Sequence, residues 1–204
     1  MKNQIISGLL SRAAWLLLIL PLTGGCASNM KKFEWTEDVK LSDGRMIVVQ
    51  RMSEYRSVMD VGAGFQRGAL FDNSSIRADL PAPVSRKVEW RGQGISPMVL
   101  DIQADNSVYL VCAVSTNVGA DLWRVPDHEF YVVFLLTGDG WKRIPIAELP
   151  LSVNKPNLFV SGYDLFITRK QRPPAHVDQI LKQEFDSRPT LSRSLKSIVR
   201  LTKP

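Results

Sequence analysis

The sequence has few of the residues on which many protein classes depend. Its 204 residues include only two cysteines and two histidines. The chain is therefore not a disulfide-stabilised scaffold, and the zinc motif HExxH is absent. Apolar runs long enough to cross a membrane do not recur along the chain, which excludes a protein with several spanning helices. The remaining composition, with 45% hydrophobic and 23% charged residues, is that of one ordinary globular domain.

Acidic residues are absent from the first 33 positions, and this segment has the pattern of an export signal. Lys2 and Arg12 come before the apolar run AAWLLLILPL at 13–22, and small residues follow it. A basic start, about ten apolar residues and a small-residue region are typical of a bacterial signal peptide. A spanning helix would need about 20 apolar residues. We therefore predict that residues 1–25 are a signal peptide.

The residues around Cys26 resemble a lipoprotein signal, in which the cysteine is acylated and becomes the mature N-terminus. Gly24 and Gly25 are small and leave the Cys26 thiol sterically accessible. Thr23 occupies the position where lipoprotein signals usually have leucine. A residue other than Asp after the cysteine, here Ala27, implies transfer to the outer membrane. The resemblance implies a protein anchored by lipid at Cys26 on the periplasmic face of the outer membrane. Ordinary cleavage and secretion to the periplasm is the alternative.

A lipidated Cys26 would leave Cys112 without a partner in the chain. Cys112 lies in the apolar run VYLVCAV at 108–114. We expect it to be a small buried hydrophobe and not a nucleophile.

The mature chain is expected to be a lipidated tether at 26–33 followed by a single β-rich globular domain at 34–204. The segments 33–41 and 46–49 flank Asp43-Gly44, a pair that favours a tight hairpin turn. Residues 53–83 are rich in Gly, Asn, Ser and Pro, and their lack of periodicity predicts a long loop.

Strand patterns then follow in series, at 84–90, 97–103, 107–114, 129–136 and 141–146. The runs 107–114 and 129–136 are nearly all apolar, which predicts central strands covered on both faces. The expected fold is mainly β, an antiparallel meander in a sandwich, partial barrel or propeller-like sheet, with one C-terminal amphipathic helix.

That helix is predicted to begin at Pro173-Pro174, because proline is tolerated in a first turn. The apolar face expected to pack on the sheet is formed by Val177, Ile180, Leu181 and Phe185. Residues 197–201 are expected to form a last short strand.

The sequence predicts no catalytic residue, no metal site and no cofactor. His128 and His176 do not fall in a spacing typical of metal ligands. Ser152-x-x-Lys155 matches the S-x-x-K motif, but that chemistry needs both residues on one helix, and the prolines on either side prevent a helix here. Glu37 and Asp38 are adjacent, so on a strand they point to opposite faces. Four tryptophans are expected to seal the edges of the core: Trp35, Trp90, Trp123 and Trp141. The alternative is that they form an aromatic platform that binds a sugar.

Positive charge is concentrated near the C-terminus, where residues 168–204 hold nine basic and three acidic side chains. One interpretation is a solvated face. The other is contact with anionic lipid head groups, through Arg169, Lys170, Arg172, Arg193, Lys196 and Arg200. Nucleic acid is not an expected partner, because an exported protein rarely meets it and no aromatic residues interleave the charges.

Three segments are similar to a group of uncharacterised proteobacterial lipoproteins: WTEDVKLSDGR at 35–45, GWKRIP at 140–145 and ELP at 148–150. The resemblance implies a lipidated cysteine and a β-rich domain of about this size. It implies no activity, cofactor or site residue.

Three functions are compatible with these observations. The first is a non-catalytic envelope lipoprotein that binds a protein or wall component through loops at 53–83 and 115–127. The second is an immunity-type lipoprotein that neutralises a toxin in the periplasm. The third is a cell-wall or lipid hydrolase, which the missing catalytic pattern disfavours.

Overall fold

The computed structural model describes residues 30–60, 66–127, 129–159 and 175–186. Most of these residues lie in nine strands: β1 Met30–Lys40, β2 Met46–Asp60, β3 Gln66–Asp79, β4 Lys87–Gln93, β5 Ile95–Ile102, β6 Val108–Val114, β7 Tyr131–Thr137, β8 Gly140–Ile144 and β9 His176–Val177. The helices are short: α1 Asn117–Leu122, the 3-10 turn Ile146–Glu148, and α2 Gln179–Asp186. The prediction of a mainly β fold is confirmed.

The strands form two sheets that face each other as a sandwich. The larger sheet has the order β4-β3-β2-β1-β9 and the smaller one the order β5-β6-β7-β8. Consecutive strands from β1 to β4 and from β5 to β8 pair antiparallel, as expected for a meander. The short β9 instead runs parallel to β1, with Thr36 opposite His176.

The predicted hairpin turn at Asp43-Gly44 is present between β1 and β2. Gly44 has a φ of +89°, which a glycine adopts without a Cβ penalty. The Gly44 amide donates to the Leu41 carbonyl at 3.0 Å, and the Leu41 amide donates to Arg45 at 2.8 Å. This turn fixes the register of β1 against β2 over their whole paired length.

The prediction of a loop at 53–83 was wrong, because β2 and β3 run through most of it. The two strands pair from Val49–Ala78 to Asp60–Gln66, with one irregularity beside Glu54. Serines made this stretch resemble a loop, but Ser53 and Ser74 are buried strand residues. The Ser74 hydroxyl donates to the Ile95 carbonyl at 2.7 Å, so a small polar side chain joins the two sheets where they approach closely.

The main core lies between the sheets. Alternate residues of β1, β2, β3 and β4 meet apolar residues of β5, β6 and β7 there, including Val39, Val49, Ile76, Leu100 and Leu110. A second cluster covers the other face of the smaller sheet, against the chain that follows β8. The central strands β6 and β7 are thus covered on both faces, as predicted, and Cys112 is fully buried in the main core.

The chain passes from one sheet to the other at Gly94, between β4 and β5. Gly94 has a φ of +69° and lies against Gly119 of α1. A Cβ atom added to Gly119 would lie 2.2 Å from the Gly94 carbonyl oxygen. This corner therefore requires glycine on both sides of the contact.

The prediction for the C-terminal helix was partly wrong. Its expected first residues, Pro173 and Pro174, lie outside the described residues, but α2 begins at Gln179, and Val177 is a buried residue of β9. Ile180, predicted to pack on the sheet, is 77% exposed, whereas Lys182 is buried. The side chains of Leu181 and Phe185 and the predicted strand at 197–201 lie outside the described residues.

The anchoring region also lies outside the described residues, which begin at Met30. β1 starts there, within the predicted tether of 26–33. None of the helices in the described ranges has the length and apolar character needed to cross a membrane.

Candidate functional site

A groove of about 430 Å³ lies on the face of the larger sheet that points away from the sandwich core. The strand register places its lining in transverse rows across β1, β2, β3 and β4. One row holds Glu34, Met52, Ser75 and Arg91, and the next holds Thr36, Gln50, Arg77 and Glu89. Lys32 and Glu54 extend the groove towards the start of β1. We call these ten residues the sheet groove.

Three ion pairs hold the charged side chains of the sheet groove. Lys32 contacts Glu34 at 2.7 Å along β1. Arg77 and Arg91 donate to Glu89 and Glu54, each at 2.8 Å. The three cations and three anions balance, so the groove offers both signs of charge side by side.

An apolar side chain lies among these charges. Met52 points to the outer face of the sheet, yet it is only 8% exposed, because long charged side chains on the neighbouring strands cover it. The groove therefore combines an apolar base with hydroxyl and amide groups from Thr36, Ser75 and Gln50. Such a surface is suited to a polar chain that carries both donors and acceptors.

The pairing with Arg77 also affects the titration of Glu89. The hydrogen bond from Arg77 is the main reason that the pKa of Glu89 lies below its usual value, and Coulomb attraction to Arg77 and Arg91 adds to it. Protonation of Glu89 would therefore require more acidic solution than for a free glutamate.

A buried carboxylate lies on the opposite, core-facing side of the same strands. Glu37 is 0% exposed. Its oxygens accept from Trp35 Nε1 at 3.1 Å, from an Arg51 guanidinium nitrogen at 3.0 Å and from the Phe159 amide at 3.2 Å. The prediction that Glu37 and Asp38 point to opposite faces is confirmed, since Asp38 pairs with His176 outside the core.

Two cations surround this carboxylate. Arg51 stacks 5.4 Å from the Trp35 ring centroid and also donates to the Pro97 carbonyl at 3.2 Å. Lys182 of α2 lies 3.9 Å from Glu37 and donates to the carbonyls of Asp38 and Asn157. We call Glu37, Arg51 and Lys182 the buried ion cluster. It explains why the helix α2 buries Lys182.

The buried ion cluster is not fully satisfied. In the described part of the chain, Arg51 Nε of the cluster is buried without a hydrogen-bond partner, as is the hydroxyl of Ser53 two residues along β2. A buried polar atom without a partner lowers the free energy of unfolding. The hydrogen bonds and ion pairs of Glu37 must therefore compensate this loss.

Thr36, His176 and Asp38 form a chain of contacts beside the sheet groove. The Thr36 hydroxyl lies 2.9 Å from His176 Nδ1, and His176 Nε2 lies 3.3 Å from an Asp38 oxygen. The three side-chain types match those of a hydrolase triad. However, the Thr36 hydroxyl and amide both donate to the Ala175 carbonyl, at 3.3 and 3.0 Å. The Thr36 hydroxyl is thus placed between the Ala175 carbonyl and the His176 ring, and these bonds fasten β9 to β1.

The other residues that the sequence analysis considered for chemistry make contacts that indicate a structural role, where the structure describes them. Ser152 donates to Gln103 at 2.6 Å and no helix joins it to Lys155, so the S-x-x-K match has the wrong geometry. Burial raises the pKa of the Cys112 thiol well above its usual value, which keeps it protonated. His128, Cys26 and the six basic residues predicted to contact lipid lie outside the described residues.

The four tryptophans in the described residues pack at the core and do not form a platform. Trp35 and Trp90 are buried, while Trp123 and Trp141 are partly buried against the main core. The indole N–H groups of Trp123 and Trp141 donate to strand carbonyls of Gln93 and Glu89, each at 3.0 Å. The interpretation that they seal core edges agrees with these contacts.

The described residues contain no group of three or more His, Cys, Asp or Glu side chains placed to hold a metal ion. Sequence analysis missed both the sheet groove and the buried ion cluster. The sequence did contain a signal for the groove, because polar residues alternate with inward-facing residues along β1, at Lys32, Glu34, Thr36 and Asp38. The cluster had none, since nothing in a sequence pairs Glu37 with a lysine 145 positions away.

Comparison with known proteins gives no relative for this chain: no family model, no curated protein and no solved structure matches it.

Proposed function

We propose that this protein is a non-catalytic lipoprotein of the outer membrane, anchored on the periplasmic side through lipid on Cys26. The signal pattern at 1–25 and the small residues before Cys26 support the anchor. The β-sandwich would then act as a binding domain held at the membrane surface. Its partner is a protein or a cell-wall component.

The observation that carries the binding role is the sheet groove. Its alternating cations and anions around the buried Met52 favour a partner with carboxylates, amines and amides along one chain, such as a peptide or the peptide part of the cell wall. The groove replaces the loops at 53–83 as the proposed contact surface, because β2 and β3 run through most of those residues.

The non-catalytic part of the proposal rests on the surroundings of Thr36. A nucleophilic hydroxyl needs a base that accepts its proton. Here the hydroxyl and the amide of Thr36 are both bonded to the Ala175 carbonyl. The His176 ring also lies 2.9 Å from the Thr36 hydroxyl and 3.3 Å from an Asp38 oxygen. Because all of these contacts join residues 175 and 176 to β1, we assign them the structural role of fastening β9 and propose no reaction for them.

Two experiments test the binding role. In the first, the full-length lipoprotein is used to capture its partner from crosslinked envelopes. In the second, the lipoprotein is sedimented with purified cell-wall sacculi. Arg77→Glu reverses a cation of the groove and places it against Glu89. We expect this variant to lose most of the captured partner or of the sedimented fraction.

Lys87→Glu is the matched control. It also reverses an exposed cation of the larger sheet, whose contact with Asp79 is 3.9 Å, but it does not line the groove. The control should capture as much as the wild type. Equal capture by Arg77→Glu and wild type would reject the groove as the binding surface.

A further inference from the structure

Two buried polar atoms without a hydrogen-bond partner lie on the same face of β2. Within the described ranges these atoms are Arg51 Nε and Ser53 Oγ. Alternate residues of a strand share a face, and both residues point into the sandwich, where they are 2% and 1% exposed. Buried polar groups in proteins almost always bond to protein or to ordered water. Two such atoms on neighbouring side chains therefore indicate a site for a ligand that forms hydrogen bonds.

The contacts of Arg51 determine where its Nε–H group points. Its Nη1 donates to a Glu37 oxygen at 3.0 Å, and its Nη2 donates to the Pro97 carbonyl at 3.2 Å. In the planar guanidinium the Nε–H group lies on the same edge as Nη2, whereas Nη1 lies on the edge of Cδ. The Nε–H group is therefore turned away from Glu37 and towards the edge that faces β5.

Ser53 lies beside two side chains that bond to β5. It is two residues from Arg51 on the same strand, and on β3 it is directly opposite Ser74. The Ser74 hydroxyl donates to the Ile95 carbonyl at 2.7 Å, two residues before the carbonyl of Pro97 that Arg51 binds. A hydroxyl has one donor and two acceptor positions, so Ser74 can still accept a hydrogen bond. Three polar side chains thus lie together beneath the start of β5.

The spacing of Arg51 and Ser53 suits one bridging water molecule. Residues two apart on a strand are separated by about 6.7 Å. Two hydrogen bonds that meet at one water oxygen span about 5–6 Å. The row of Ser53 continues with Ser74 on β3 and Gly92 on β4, so no side chain larger than serine stands at this level on those three strands. A site for one water needs such room and at least two polar partners.

From these observations we infer that Arg51 Nε and Ser53 Oγ bind one internal water molecule between the two sheets. The water accepts the Nε–H hydrogen bond and bonds to the Ser53 hydroxyl, and the Ser74 hydroxyl is within the same row as a third partner. The guanidinium already has a carboxylate in Glu37, so a neutral ligand fits the site and a second anion is not required. This inference does not depend on the proposed function.

The water would also support the base of the sheet groove. Met52 lies between Arg51 and Ser53 in sequence and points to the opposite face of β2, where it forms the apolar base of the groove. The inferred water holds the two residues on either side of Met52 against β5. It therefore fixes the part of β2 that presents Met52 to the groove.

Thermal unfolding of the full-length protein and its Ser53→Ala variant tests the site, because the sign of the effect depends on the water. A buried hydroxyl without any partner costs stability, so its removal would leave the Tm unchanged or raise it. If the hydroxyl holds a water that also satisfies Arg51 Nε, its removal should lower the Tm by about 2–6 °C. Ser75→Ala is the matched control, since Ser75 is the neighbouring serine of the same sheet but lies on the outer face.

We expect Ser53→Ala to lower the Tm and Ser75→Ala to change it less. A Tm of Ser53→Ala that equals or exceeds that of the wild type overturns the inference, as does an equal fall in both variants. A high-resolution crystal structure of the wild type should show a water within hydrogen-bond distance of both atoms, and that of Ser53→Ala should lack it or show it displaced. A dry site, a direct bond of Ser53 Oγ to another protein atom, or replacement of the density by bromide in soaked crystals would each overturn the inference.

Discussion

The buried ion cluster makes a strong prediction for Glu37→Gln. The substitution preserves the shape of the side chain but removes its negative charge. Arg51, with 1% of its side chain exposed, would then retain a positive charge, and no other carboxylate in the described ranges lies within hydrogen-bond distance of it. Breaking a buried pair by removing one partner costs about 3–5 kcal/mol of the free energy of unfolding.

Thermal unfolding of the mature protein, followed by circular dichroism, measures this cost. For a chain of this size, 1 kcal/mol lowers the Tm by about 2–4 °C, so Glu37→Gln should lower it by about 6–20 °C. Glu89→Gln is the control, because it breaks an ion pair whose side chains are more than half exposed. Because solvent screens such an exposed pair, Glu89→Gln should unfold at nearly the same temperature as the wild type.

A double variant tests the reason as well as the magnitude. Glu37→Leu combined with Arg51→Met should be more stable than Glu37→Leu alone, because the guanidinium left unpaired in the single variant is absent from the double variant. The reasoning is refuted if Glu37→Gln unfolds at the same temperature as Glu89→Gln. It is equally refuted if the effects of the two single substitutions simply add.

Three further predictions concern other parts of the molecule. Gly119→Ala should lower the Tm sharply, since its Cβ would meet the Gly94 carbonyl, whereas Gly138→Ala, with open space around it, should not. Burial raises the pKa of Cys112 above its ordinary value of 9.0, so the contribution of this thiol is present below pH 9.0 and is lost as pH rises above it. Urea unfolding at pH 8 and pH 10 should show a smaller alkaline loss in Cys112→Ala than in wild type. Treatment with EDTA should leave the Tm unchanged, and a fall reversed by zinc would contradict the expectation of no metal site.

The sequence predicted those parts of the fold that depend on local patterns. Asp43-Gly44 specifies a tight turn by its backbone preferences, and apolar runs such as 108–114 specify covered strands. The long β2–β3 hairpin was missed because its serines and glycines have weak strand preference. The ladder with neighbouring strands, together with bonds such as Ser74 to Ile95, overrides that preference.

The site was harder to predict, because it depends on contacts between distant residues. The rows of the sheet groove follow from strand register, which places Arg77 beside Gln50 and Glu89. The buried ion cluster runs against the helical pattern at two described positions of α2, where Lys182 is buried and Ile180 is exposed. The Asp38 and Asn157 carbonyls and the Glu37 carboxylate compensate the cost of burying the Lys182 ammonium. These groups are distant from Lys182 in the sequence, so no local pattern reveals them.

The central claim, a lipid anchor on Cys26, is tested most directly by metabolic labelling with palmitate followed by fractionation of the envelope. Wild-type protein and Cys112→Ser should both incorporate the label and fractionate with the outer membrane, because Cys112 is buried in the core. Cys26→Ser should incorporate none and should remain as precursor or become soluble. Palmitate on the Cys26→Ser protein, or its absence from the wild type, would contradict the account.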